Sequence, residues 1–505
     1  MPGDATTDGQ RRASWLRSPH LWVTTIYFAE GFPYALVNNV ADVVFVAMGA
    51  NIKAIGLTAL FHLPWNIKFL WAPPLDRYET KRSFVLACEV VIFVLVLLLA
   101  IFGTSSTLAT LAIVLVVLGI VSATHDIAID GYYMDALDKE GQSRFVGYRA
   151  TAYRGAVLVA TGPLLWVAGK ENDWHRGWLA AAAIIAAFLA YQWRYLPRAE
   201  PRKLAISESF TPSRRRKLLM VALVIAALVF SELQWAWLRS LRDALVALFA
   251  DVPFFGKLSL EGWIALVFIS GVVLCIAMLG RLRRRLARSQ SAYARGFTTL
   301  LEQPGIERAL AFVVLFRAGE SFLMKMRTPF LQKECGMDTE TFGLINGTLG
   351  WGFTLAATVI GGWLIARHGL KRWMWIFILA QNIPNLLYAW AAASEPAQLG
   401  NVVLGAVVLV EDFGAGLGTA FFIVYLMRCV DPRHKATHMA VLTAIMSLGF
   451  TLAGIVSGFI ADAVGYPIFY GLTFLATIPA MVMVRWVPYL DRTRAEEVEG
   501  APAPG

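Results

Sequence analysis

The sequence predicts an all-α integral membrane protein of about fourteen transmembrane helices, built as two six-helix bundles with two extra helices between them. Three observations predict it. The 505-residue chain is 57% hydrophobic and only 16% charged, against roughly 25% charged residues in soluble domains. Its apolar stretches reach the length of about 20 residues that a hydrocarbon core about 30 Å thick requires. The chain also repeats itself. Residues 27–82 and 315–372 each run from an apolar helix with charge near its middle, through a second helix, to a short basic turn, Lys81-Arg82 in one copy and Lys371-Arg372 in the other. Paired repeats are the build of many secondary transporters, whose substrate sites lie at the repeat interface.

Taken in order, residues 1–19 are polar and read as a cytoplasmic tail without the pattern of a secretory leader. Spans near 20–40, 54–74, 83–103, 108–135, 143–168 and 175–195 make an N-terminal bundle over 20–197. Residues 198–217, with Pro201, Pro212 and the run Arg214-Arg215-Arg216-Lys217, are a hydrophilic cytoplasmic linker. Spans near 218–237 and 262–280 match neither repeat, and with a basic loop they fill 218–305. Spans near 307–331, 340–366, 373–393, 401–428, 436–461 and 466–487 make a C-terminal bundle over 306–488, and 489–505 is a disordered tail. Small residues four apart, Gly343 with Gly347, Gly414 with Gly418 and Gly454 with Gly458, favour close helix packing.

The net charge of +10 does not point to nucleic acid. Basic residues crowd every second loop, as they do in cytoplasmic segments, so both termini are expected in the cytoplasm. Cys88, Cys275, Cys335 and Cys429 follow no C-x-x-C spacing, which leaves neither a disulfide framework nor a metal site to expect, and no cofactor is indicated.

Ionisable residues inside the spans each cost about 2.5–3.5 kcal/mol on insertion scales and so need a partner, a wet cavity or a function. Asp126 and Asp130 are four apart and share one helix face. Counted outward from the turn near residue 140, Asp130 lies level with Arg149 and Asp126 with Arg154, which makes two stacked pairs available. They are either an ion-pair clamp or carboxylates that take up a proton, because burial and a nearby arginine act oppositely on a carboxyl. Glu30 lies about 15 Å deep at 1.5 Å per residue and joins them as a proton-coupling candidate. Arg317 lies at similar depth with Glu320 a turn further on, so acid and base approach the expected repeat axis. A Glu30–Arg317 ion pair is one reading. The other assigns Arg317, with Glu320, Lys325 and Lys68, to an anionic substrate, which a guanidinium grips through its planar fork.

Asn382 and Asn385, flanking Pro384, are candidates for neutral hydrogen bonds to a sugar, and Trp351, Trp65 and Trp71 for stacking on one. Glu411 and Asp412 precede a glycine-rich stretch that suggests unwinding or close packing, and Glu89 reads equally well as an interfacial residue. Asp76, Arg77 and Arg372, in the turns that end each repeat, are expected at a cytoplasmic gate. A membrane-embedded transferase is the reading of a different class, but the sequence carries neither a metal-ligand cluster nor a donor-binding loop.

The turn Pro74-Leu75-Asp76-Arg77 followed by Lys81-Arg82 resembles the loop motif of the major facilitator superfamily, without its usual glycines. Residues 69–77 (Phe69-Leu70-Trp71-Ala72-Pro73-Pro74-Leu75-Asp76-Arg77), 122–130 (Ser122-Ala123-Thr124-His125-Asp126-Ile127-Ala128-Ile129-Asp130) and 416–422 (Gly416-Leu417-Gly418-Thr419-Ala420-Phe421-Phe422) are similar to the AmpG-type muropeptide permeases, as is the fourteen-span plan. His125 departs from the glutamine expected there, and Gly131-Tyr132-Tyr133-Met134 departs as well. The resemblance implies a monomeric, proton-driven importer of N-acetylglucosaminyl-anhydro-N-acetylmuramyl peptides in a bacterial inner membrane, with Asp126 and Asp130 as its foremost site residues. Another anionic solute, such as acetyl-coenzyme A or a peptide, is the alternative cargo.

Overall fold

The computed structural model describes residues 15–68, 71, 75, 79–102, 107–198, 240, 243–244, 247, 258–287, 292–431 and 435–490. Along the chain run α1 (Pro19–Ala35), a π-helical stretch Leu36–Val40, α2 (Ala41–Ala47), α3 (Ile52–Leu57) and α4 (Leu63–Ile67). Then come α5 (Lys81–Phe102), α6 (Leu108–Ala136), α7 (Lys139–Thr161), α8 (Pro163–Gly169) and α9 (Trp174–Tyr195). After these stand α10 (Leu260–Ala287), α11 (Ala292–Leu301), α12 (Ile306–Phe316) and α13 (Ala318–Pro329), which runs into a π-helical stretch Phe330–Glu334. The chain continues with α14 (Thr339–Phe342), a third π-helical stretch Gly343–Leu349, α15 (Gly350–His368), α16 (Leu370–Asn382), α17 (Pro384–Ala393) and α18 (Asn401–Arg428). Last are α19 (Lys435–Leu475) and α20 (Ile478–Met483).

The architecture is all-α, as expected. Among the described residues six helices are long and apolar enough to cross a membrane, Lys81–Phe102, Leu108–Ala136, Thr339–His368, Leu370–Ala393, Asn401–Arg428 and Val441–Trp486. The expected span 218–237 and the linker 198–217 lie outside the described residues, apart from Arg198.

Several expected spans are interrupted rather than straight, each for a local reason. The span near 143–168 breaks at Gly162 (φ −107°, ψ −90°), because Pro163 opens the next helix and has no N–H to continue the old one. The span near 307–331 breaks at Arg317, which ends α12 and caps α13. The spans near 436–461 and 466–487 meet at Gly465, whose φ of 74° is open to glycine, with Pro467 just beyond.

The described residues fall into two compact units. The first comprises Met1–Ala50, Phe61–Lys257 and Asp338–Thr348, and the second Asn51–Leu60, Leu258–Met337 and Leu349–Gly505. Each has its own apolar core. In the first, Trp22, Ile26, Tyr27, Val85, Ile129 and Tyr132 are buried together. In the second, Phe316 stacks on Phe422 at 5.2 Å, within a cluster that includes Phe312, Phe377, Phe421 and Tyr425.

The small-residue pairs mark the tightest helix contacts inside each unit. In the first, a Cβ on Gly347 would land on the Thr161 carbonyl, and one on Gly343 would come within 2.9 Å of Leu165 Cβ. In the second, a Cβ on Gly458 would stand 2.6 Å from the Ile52 carbonyl oxygen, so α3 packs backbone to backbone on α19. Because the obstacle at Gly347 is backbone, Gly347→Ala is expected to destabilise the protein by about 1–3 kcal/mol, the range for overpacking. A lowered melting temperature of the purified protein in detergent checks this.

Candidate functional site

In the first unit, charge gathers where α1, α6 and α7 meet the segment after α4. Asp126 and Asp130 sit four apart on α6, and each finds a cation. Asp130 Oδ1 accepts from Arg149 Nη2 at 2.8 Å and from the Tyr27 hydroxyl at 2.9 Å. The Arg149 guanidinium also lies 4.6 Å over the Tyr27 ring, a cation–π contact that fixes its plane. Asp126 is paired with Lys68. Glu30 projects from α1 into the same region, 7% exposed, and its Oε2 has no hydrogen-bond partner. The Asp130, Arg149 and Lys68 side chains are 33%, 39% and 33% exposed, so one flank of the cluster is open while Asp126 and Glu30 stay behind it.

One expected pair is corrected. Arg154 makes no ion pair with Asp126 among the described residues, and Lys68 takes that place. Depth along two antiparallel helices matches Arg154 to Asp126, but azimuth does not. Five residues turn an α-helix by about 500°, which leaves Arg154 roughly 140° around α7 from Arg149, whereas Asp126 and Asp130 differ by only about 40°.

In the second unit the break at Arg317 sets its side chain beside the first turn of α13. Its Nη2 is 3.0 Å from Glu320 Oε1 and its Nη1 donates to Thr419 Oγ1 at 3.0 Å. Gln381 Nε2 donates to the other Glu320 oxygen at 2.8 Å. The acidic partner of Arg317 within its unit is Glu320, and three residues along a helix is ion-pairing distance. Lys325, 6% exposed, donates to Thr58 Oγ1 at 2.5 Å.

Asn382 and Asn385 are 2% and 1% exposed, and Asn382 Nδ2 bonds back to the Ile378 carbonyl at 2.8 Å, so both sit within helix packing. Trp351 is half-buried in the first turn of α15. Arg372 is exposed near the start of α16, while Asp76 and Arg77 lie outside the described residues.

A third charge group joins Arg327, to which the sequence assigned no role, with Glu411 and Asp412, which it placed only beside a glycine-rich stretch. Arg327 Nη1 contacts both Glu411 Oε2, at 2.5 Å, and Asp412 Oδ1, at 2.9 Å, and the three side chains are 7%, 3% and 7% exposed. A charge count across apolar spans carries the signal: Arg327 in one span and two adjacent acids in another have to be matched. Lys81, in the basic turn that ends the first repeat, is 3% exposed and donates to the Leu75 carbonyl at 3.0 Å. Glu89, expected near an interface, is 2% exposed. Among the described residues no His, Cys, Asp or Glu group could hold a metal ion.

The two halves therefore treat charge differently. The first keeps an acid–base cluster with a partly exposed flank, and the second buries the Arg327–Glu411–Asp412 group.

Comparison with known proteins bears on this arrangement. The family model for the Major Facilitator Superfamily matches residues 310–504. The chain is 26% identical over 463 residues to the anhydromuropeptide permease of Escherichia coli strain K12, covering 90% of this chain and 77% of that protein. It is 23% identical to a Haemophilus influenzae protein, covering 92% and 93% of the two. A crystal structure of the peptide transporter POT in complex with sulfate shares the fold with a TM-score of 0.61 at 13% identity, over 93% of this chain and 94% of that one. Among the described residues the chain has six helices long and apolar enough to cross a membrane, and the proteins it is similar to include a permease and a peptide transporter. The chain is thus similar to the Major Facilitator Superfamily over its C-terminal part and to an anhydromuropeptide permease over most of its length.

Proposed function

We propose that this protein imports anhydromuropeptides across the bacterial inner membrane in symport with protons, as a monomer with both termini in the cytoplasm. The observation that carries the coupling is the first unit's half-open cluster: three acids, Glu30, Asp126 and Asp130, against two cations, Lys68 and Arg149. Ionised throughout, that set has one negative charge in excess, and one proton neutralises it. Intramembrane carboxylates with access to water are proton-relay groups by default. Likeness to the E. coli permease supports the cargo, and the crowding of basic residues in alternate loops supports the orientation.

In this reading Asp126 and Asp130 exchange the proton, and Lys68 and Arg149 answer the change in charge. Arg317 and Lys325 meet the carboxylates of the cargo, with Glu320 and Gln381 holding the Arg317 fork in place. Trp351 stacks on the sugar, and Asp76, Arg77 and Arg372 belong to the cytoplasmic gate.

Uptake of labelled anhydro-disaccharide peptide into vesicles with an acidic exterior and into pH-equilibrated vesicles tests the proposal, with acetyl-coenzyme A and free peptide as competitors. Accumulation driven by an inward proton gradient and displaced only by muropeptide is the expected result. Uptake indifferent to that gradient removes the coupling, and displacement by acetyl-coenzyme A changes the cargo. Arg317→Gln is expected to raise KM about tenfold or more with a smaller change in maximal rate. Losing one charge-assisted hydrogen bond costs about 1.5–3 kcal/mol, and concentration-dependent uptake reads it.

A further inference from the structure

Behind the open cluster, on another face of α6, lies a group of polar side chains that the coupling mechanism above does not use. Glu89 on α5, His125 on α6 and Gln192 on α9 come from three helices and are 2%, 0% and 0% exposed. His125 Nε2 faces Glu89 Oε1 at 3.6 Å, just beyond a hydrogen bond. None of the six polar side-chain atoms, both oxygens of Glu89, both nitrogens of His125 and both ends of the Gln192 amide, makes a hydrogen bond of ordinary geometry, although His125 and Gln192 both approach the Glu89 carboxyl. Such groups are rarely left unsatisfied, and those that are call for an explanation, with a catalytic role, a bound water or an ion among the usual ones.

We propose that Glu89 and His125, with Gln192 beside them, form a second buried proton-binding site in the first unit. With no proton the acid–imidazole pair carries one net negative charge, with one it is neutral, and with two it is positive. Among the described residues, none of those named against the pair offsets a net charge. On α5 the adjacent titratable group is the buried Cys88 thiol. The α1 residues Ala29, Phe32 and Pro33 and the α9 residue Phe188 line a cavity of about 10 Å³ against Glu89 and bring no charge to it. The next charged residue on α6, Asp126, turns to Lys68 instead. An uncompensated charge in such a place is far costlier than a neutral pair, so the state holding one proton is favoured and the ligand is a proton. Among the described residues no group of three His, Cys, Asp or Glu side chains that could hold a metal ion is found here. The cavity is about the size of a single water, enough to carry a proton to Glu89.

Placement suggests what the site is for. Glu89 is eight residues from the start of α5, about 12 Å at 1.5 Å per residue, and His125 adjoins Asp126 in the chain. Loading or unloading the pair therefore changes the charge one residue behind the coupling carboxylate. Only this link to transport rests on the proton-symport reading. Proton binding by the pair stands without it.

Infrared difference spectra of the purified full-length protein, recorded against pH without cargo, test the site. The wild-type protein should show a carboxyl band and imidazole bands that titrate together. Glu89→Gln should remove that carboxyl band and uncouple the imidazole from it. His125→Gln should keep the carboxyl band but move its midpoint by at least about one pH unit, a tenfold change in proton affinity. If Glu89→Gln yields no monodisperse protein, the His125→Gln comparison decides alone. Spectra of both variants that superimpose on the wild type overturn the proposal, as does a carboxyl band abolished only by Asp126→Asn. Gradient-independent uptake with the Glu89–His125 titration intact would refute the symport reading and leave this site standing.

Discussion

Asp126→Asn is expected to leave a protein that folds and inserts but no longer accumulates its cargo. One proton driven by about 100 mV supplies ~2.3 kcal/mol, which at 1.4 kcal/mol per tenfold sustains roughly fortyfold accumulation. A variant that binds no coupling proton should bring internal and external cargo only to equality, so the steady-state ratio in energised vesicles should fall from tens towards one. Exchange of labelled for unlabelled cargo should survive, since it moves no net proton. The competing view makes Asp126 a clamp for Lys68, whose charge the amide would strand. The double variant Lys68→Gln/Asp126→Asn separates the two. It removes both charges together, so a clamp predicts recovered accumulation and a proton site predicts none. Loss of folded protein with Asp126→Asn, reversed along with transport by the double variant, would sink the coupling role.

The second large effect concerns stability. Arg327→Met strips the cation from between Glu411 and Asp412, two adjacent acids that are 3% and 7% exposed. Removing one member of a buried ion group typically costs 3–5 kcal/mol, because the remaining charge stays buried and unmatched. A drop of that order should appear in denaturant titration of the purified protein in detergent and as a reduced yield of monodisperse material. Replacing all three residues, as Arg327→Met/Glu411→Gln/Asp412→Asn, should recover most of the loss, since a buried ion group can often be exchanged for neutral side chains at little cost. A single variant as stable as the wild type would mean that water reaches the triad and screens it.

Much of this was legible in the residues. Apolar length alone marks Asn401–Arg428 at the bounds observed, and counting from a turn finds the Asp130–Arg149 contact, because depth in a hairpin is arithmetic. Lys68 as the partner of Asp126 was not legible: its distance depends on how α4 leans on α6, which no periodicity records. The breaks at Gly162 and Gly465 were half legible, since Pro163 and Pro467 stand beside them in the sequence. The break at Arg317 has no such sign. Arg327 escaped notice because its two acids lie 84 and 85 residues away, and only the sum of charges across separate spans hints that they meet. The asparagines misled because the same side chain serves a sugar or a helix carbonyl equally well.

The π-helical stretches at Leu36–Val40, Phe330–Glu334 and Gly343–Leu349 bear on how such a chain can change length. A π turn holds one amino acid more than the α turn it interrupts, so excising one residue there restores ordinary winding and keeps the face presented beyond it. The same excision elsewhere in a span would swing everything downstream by about 100°. These are the places where a relative one residue shorter could keep every later side chain in its bearing.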